Sequence, residues 1–155
     1  MSDRRYRAAI VGLGFIGGAD QVSGDALGQR VEDLDGTHVM ALRGHERVDL
    51  VAGSSRDEGR RQRFNDRFDV PVFADWQELL QKAAPLDIVN IATYTPAHAE
   101  VTHAALAAGA RVIYCEKPIA PTADEAQGMV DACHAAEALL VINHNIRFHP
   151  SFRRL

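Results

Sequence analysis

Residues 8–17, Ala8-Ala9-Ile10-Val11-Gly12-Leu13-Gly14-Phe15-Ile16-Gly17, set a short apolar run directly against a glycine-rich turn. A strand followed by Gly-x-Gly-x-x-Gly is what a dinucleotide pyrophosphate needs from a backbone. Gly12 permits the tight turn out of the strand. The missing Cβ at Gly14 lets backbone approach phosphate, and Gly17 lets the next helix lie close to the sheet. The backbone of Phe15 and Ile16 belongs to the same expected cradle, with the first helical N–H groups facing the anion.

Outward from this turn the chain alternates between strand and helix patterns. Apolar runs recur at Leu50–Ala52, Val70–Phe73, Ile88–Ala92, Val112–Cys115 and Leu139–Ile142. Four of these are nearly continuous, as in strands covered on both faces. Helices are expected over Arg56–Phe68, over Trp76–Ala83 behind an Asp75 cap, and over Pro96–Ala108 up to Gly109. Thr122 and Glu125 have capping-box spacing for a further helix running to about Ala138. The expected fold is therefore α/β: a Rossmann-like doubly wound parallel sheet in three α/β/α layers, a single domain. About thirty residues separate Gly17 from Val48, more than one crossover needs. Thr37–Leu42 reads as helix again. Two readings of the excursion stand: a surface insertion, or an arm carrying Asp20, Gln21, Ser23 and Asp25 over the nucleotide.

Length and composition fit one soluble core: 155 residues, 46% hydrophobic, 25% charged. The net charge of −4 argues against a nucleic-acid partner. No apolar run approaches the ~18 residues of a membrane span, so no membrane partner and a cytoplasmic location are expected. Cys115 and Cys133 read as reduced packing residues. The histidines show no metal-ligand spacing, and no metal site is expected. The run Arg60, Arg61, Arg63 and Arg67 reads as a solvated helix face.

Two places carry chemistry. After the second strand, where an NAD site places an acid, stand Ser54, Ser55 and Arg56. A neutral donor beside a guanidinium suits a ribose 2′-phosphate, so NADP is expected, with NAD as the alternative. Asp57 could also take the ribose contact. After the fifth strand stand Glu116, Lys117 and Pro118, at the edge where open α/β sheets bind ligands. Lys117 there can polarise a substrate hydroxyl, with Glu116 holding the ammonium in place and Pro118 setting the turn.

These features together resemble the Gfo/Idh/MocA (glucose–fructose oxidoreductase/inositol dehydrogenase) family. The resemblance rests on the glycine motif, the Thr93…His98 segment ending in Gly109, and Glu116-Lys117-Pro118. The tail Asn143-His144-Asn145-Ile146-Arg147-Phe148-His149-Pro150 adds to it. It implies an NAD(P)-dependent oxidoreductase acting on the CH–OH group of a sugar, polyol or similar alcohol. Gly12, Gly14 and Gly17 would hold the pyrophosphate, and Ser55 and Arg56 the adenosine ribose. Thr93, Tyr94 and His98 would line the nicotinamide side, although a packing role for His98 stands equally open. Lys117 would be catalytic, and the Lys117–Pro118 peptide is expected to be cis.

The resemblance further implies a nucleotide-binding domain over residues 1–146, with 147–155 beginning a linker helix. That helix would lead to a second α/β domain, the seat of substrate specificity and of any homo-oligomer contact. On its own the chain is expected to be inactive. Thr93-Tyr94-Thr95 departs from the family's Thr-Pro-Asn. A nucleotide-binding or redox-sensing module without catalysis remains the alternative.

Overall fold

The computed structural model describes residues 4–22, 34 and 36–144. Its strands are β1 (Tyr6–Val11), β2 (Val48–Ser54), β3 (Val72–Phe73), β4 (Ile88–Ile91), β5 (Val112–Glu116) and β6 (Leu139–Asn143). They form one sheet in the order β3-β2-β1-β4-β5-β6, parallel throughout. The helices are α1 (Phe15–Gly18), α2 (His38–Arg43), α3 (Glu58–Phe68), α4 (Trp76–Lys82), α5 (His98–Ala107) and α6 (Ala123–Ala135). No described helix is long and apolar enough to cross a membrane.

Strand periodicity builds the layers. In β1, Ala9 and Val11 join one buried cluster, with Leu79 and Leu80 of α4, Val101 of α5 and Met129 of α6. Ala8 and Ile10 point the other way and join Val39 and Leu42 of α2 with Phe64 and Phe68 of α3. Residues one apart on a strand thus feed opposite cores, the period-2 geometry of a sheet covered on both faces.

Helix boundaries follow local chemistry. Asp57, Asp75 and Thr122 each cap a helix, accepting from the N–H of Arg60, Glu78 and Glu125 respectively. Because Asp57 is the cap, α3 begins at Glu58 rather than at Arg56. After α5, Gly109 takes φ +94°. Its N–H bonds Leu106 O and the Ala110 N–H bonds Ala105 O, closing the helix with a paired C-terminal motif.

One expectation needs correction, and one, the long first crossover with helix again near Thr37–Leu42, is met. β6 is an edge strand, with Leu139 59% exposed, so its apolar run does not mark coverage on both faces. Its inward side still packs, through Leu140 and Ile142. The first crossover helix is broken in two: α1 is a single turn ended by Ala19 at φ 56°, and α2 resumes at His38. Ser23, Asp25 and residues 147–155 lie outside the described residues.

Candidate functional site

Strand order reverses between β1 and β4, opening a crevice at their carboxyl ends. Gly12 sits there at φ +104°, its N–H on Ser54 O, while the Ala92 N–H bonds Val11 O. A Cβ on Gly12 would overlap the Ala92 carbonyl, and one on Gly17 would overlap the Gly12 carbonyl. The two glycines therefore let strand, turn and helix meet backbone to backbone.

A cleft of about 740 Å³ opens above them, with Gly12, Leu13 and Gly14 on its floor. Ser54, Ser55 and Arg56 form one wall, and Thr93 and Tyr94 the other. The Arg56 guanidinium stands over the Tyr94 ring, 5.1 Å from its centroid. Arg61 Nη1 donates to the carbonyls of Ser55 (2.7 Å) and Arg56 (3.0 Å), fixing the turn that presents Arg56. Asp57 also lines the cleft, but one of its carboxylate oxygens is occupied as the α3 cap. Phe15, Ile16 and Gly17 continue into α1 and are not part of the lining.

Glu116, Lys117 and Pro118 lie one strand further on. Cys115 pairs with Ile91, so the chain leaves β5 beside the Ala92–Thr93 wall of the cleft. The Lys117–Pro118 peptide is cis. Glu116 does not grip the Lys117 ammonium as expected. Its Oε1 accepts from His38 Nε2 (2.8 Å) and from Asn143 Nδ2 (2.5 Å), and its Oε2 from the Lys117 N–H (3.3 Å). Tyr114 donates to Asn143 Oδ1, and Asn90 Nδ2 backs His38 Nδ1. Burial opposes ionisation of Glu116. The hydrogen bonds from His38 and Asn143 outweigh it and hold the carboxyl below its ordinary 4.5. Burial, with the Glu116 charge adding, raises the Tyr114 phenol.

His98 is buried behind this turn rather than exposed on the cleft. Its Nε2 faces Thr93 O at 3.0 Å, and its Nδ1 faces the carbonyls of Pro118 and Ile119. The ring thus ties the β4 exit to the β5 exit, a packing role. Beside it the Cys115 thiol is pushed up to about 12, by burial first and the Glu116 charge second.

Several residues at the site were not singled out in sequence. Trp76 and Arg60 line the cleft, and His38 anchors Glu116. The arginine run is not a solvated face: Arg63 grips buried Asp20 through two bonds of 3.0 and 2.8 Å, and Arg61 holds the Ser55 turn. Asp20 is thereby turned to α3, as an anchor of the excursion. The i, i+3 recurrence of Arg60 and Arg63 was visible, but their acidic partner is 43 residues from Arg63 in sequence.

Fold and cleft are those of a Rossmann-like nucleotide-binding domain. The chain belongs to the Gfo/Idh/MocA family: residues 6–144 match that oxidoreductase family, described by its NAD-binding Rossmann fold. It is 28% identical over 151 residues to D-apiose dehydrogenase of Paraburkholderia graminis, covering 97% of this chain and 35% of that protein. It is 34% identical over 106 residues to D-xylose 1-dehydrogenase (NADP(+)) 2 of Haloferax volcanii, covering 68% and 32%. GenD2 from gentamicin A biosynthesis, solved in complex with NAD, superposes with a TM-score of 0.79. There the identity is 26%, covering 97% of this chain and 38% of that one. The chain spans about a third of the length of the curated relatives it matches.

Gly17→Ala is expected to destabilise the fold by about 3 kcal/mol, because both overlapping partners are backbone or close-packed. A lowered urea midpoint reads this directly. Glu116 has a folded-state pKa below its ordinary value. It therefore adds stability above about pH 4.5 that fades as pH falls through the lower folded value. Glu116→Gln is expected to flatten the pH dependence of the urea midpoint in that acidic window and leave its slope above pH 6 unchanged.

Proposed function

We propose that this chain is the nucleotide-binding part of an NAD(P)-dependent dehydrogenase of a sugar, polyol or similar alcohol, and that it prefers NADP. The observation that carries the preference is the end of β2. Ser54, Ser55 and Arg56 stand there with no carboxylate at the strand terminus, and Arg61 presents the Arg56 turn to the cleft. A guanidinium matches a phosphate bidentately, where a carboxylate would repel it. Arg60 lines the same wall, with its guanidinium 3.5 Å from the Asp20 carboxylate. The NADP-named relative of Haloferax volcanii is consistent with this reading.

The residues fit a dinucleotide. The cleft floor at Gly12 and Gly14 carries no side chain to block the pyrophosphate, and Gly12 can hold its φ without strain. Thr93 and Tyr94 would wall the cofactor opposite Ser55 and Arg56. When bound, the nicotinamide supplies hydride transfer to or from the carbinol carbon. Lys117 would bind the substrate hydroxyl through Nζ, take its proton as the carbonyl forms and return it in the reverse direction. Glu116 and Pro118 set the turn from which Lys117 projects.

Thermal melting with NADPH, NADH or neither tests the cofactor reading. Ligand at ~100 times its Kd adds about 2.7 kcal/mol, expected as a rise of about 5–10 °C. The larger rise is expected with NADPH, and Arg56→Ala should remove that difference. No rise with either nucleotide overturns the cofactor assignment, and a larger rise with NADH reverses the preference. In the full-length enzyme, Lys117→Met is expected to lower kcat by at least about 100-fold while the Kd for cofactor stays within about twofold. Unchanged turnover would remove Lys117 from the chemistry.

A further inference from the structure

Glu116 and Lys117 are neighbours in the chain, and at a strand exit a carboxylate and an ammonium this close in sequence are able to pair. Here they do not. One Glu116 oxygen takes both His38 Nε2 and Asn143 Nδ2, and the other takes the Lys117 backbone N–H. The exposed Lys117 ammonium makes no ion pair among the described residues.

The arrangement around His38 is built rather than incidental. Its side chain is only 2% exposed. Asn90 Nδ2 donates to Nδ1 at 3.3 Å, which leaves the Nε2–H to donate to Glu116. The ring meets Tyr114 edge-on at 5.1 Å. Its backbone comes from the first residue of α2, where the crossover resumes after the excursion. The interrupted helix therefore re-enters where it delivers an imidazole to the Lys117 turn.

We infer that His38 is a positioning residue for Lys117: by occupying the Glu116 carboxylate it keeps that carboxylate away from the Lys117 ammonium. The inference rests on the proposed role of Lys117 as the group that takes the substrate proton. An ammonium paired with Glu116 would hold its proton more tightly and would be drawn back toward the sheet. With Glu116 held by His38 and Asn143, the Lys117 ammonium stays clear of the carboxylate and available to the substrate hydroxyl. The ionisable groups at this junction are His38 from α2, Tyr114 and Glu116 from β5, Lys117 itself, and exposed His144 after β6. Asn90 of β4 and Asn143 of β6 are neutral. His98 and Cys115 belong to the other face of the sheet.

The test is the pH profile of kcat for alcohol oxidation in the full-length enzyme, using whichever aldose or polyol of a panel supports turnover with NADP or NAD. His38→Phe is expected to move the acid-limb midpoint up by about one pH unit and lower kcat at neutral pH about tenfold. The Kd for cofactor, read by nucleotide fluorescence, should remain within about twofold. His38→Gln, whose amide can still donate to Glu116, is expected to restore the midpoint, which a role in packing alone would not produce. Asn143→Leu removes the second donor from a half-buried site, and is expected to shift the midpoint in the same direction should His38→Phe fail to fold. A midpoint unmoved in every folded variant overturns the inference. Failure of the underlying reading is separate: there Lys117→Met would leave wild-type turnover intact.

Discussion

Backbone packs on backbone where β1 turns into α1, and the rest of the molecule is arranged around that contact. Gly12 lies against the Ala92 carbonyl at the end of β4, and Gly17 lies against the carbonyl of Gly12. No other residue type brings three chain segments this close, because any Cβ would occupy the space of a peptide group. The contact seats α1 on the sheet, sets the spacing of β1 and β4 at the point where strand order reverses, and leaves the cleft floor at Gly12 and Gly14 free of side chains. Fold and binding site thus share a single steric requirement.

Around this contact the site divides into two walls with different support. The β2 wall is held by charge: Arg61 on the Ser55 and Arg56 carbonyls, Asp57 capping α3, and Arg63 on Asp20. The β5 wall is held by a half-buried polar seam of Asn90, His38, Glu116, Asn143 and Tyr114, which draws on three strands and one helix. Most polar groups of the seam are paired with one another, as burial demands, while Asn90 Oδ1 is left without a hydrogen-bond partner. On the opposite face His98 ties the same two strand exits through backbone carbonyls. Lys117 leaves the sheet between these supports.

The strands, most helix caps and the glycine turn were legible in the chain because each rests on contacts a few residues apart. Val112–Cys115 is apolar in sequence and is β5 in space; Asp75 and Thr122 cap the helices they precede. What was misread depended on distant partners. Arg60, Arg61 and Arg63 resembled a solvated stripe until the Ser55 turn and Asp20 were set beside them. Glu116 beside Lys117 suggested a local ion pair, but its donors come from residues 38 and 143. The continuous apolar run of β6 suggested burial on both faces, although its position at the edge depends on where the sheet stops.

By itself, then, the sequence determined the kind of sheet, the glycine cradle, and which side chains stand at the ends of β2 and β5. Alternation, capping and conformational freedom at glycine are local properties, and local properties survive in one dimension. Tertiary structure alone decided the hydrogen-bond partners of those side chains: that Glu116 answers to His38 rather than Lys117, that Arg61 holds the Arg56 turn, and that Trp76 lines the cleft. Charge and hydrogen-bond partnership depend on distance in space, and a parallel sheet brings together residues that the chain keeps dozens of positions apart.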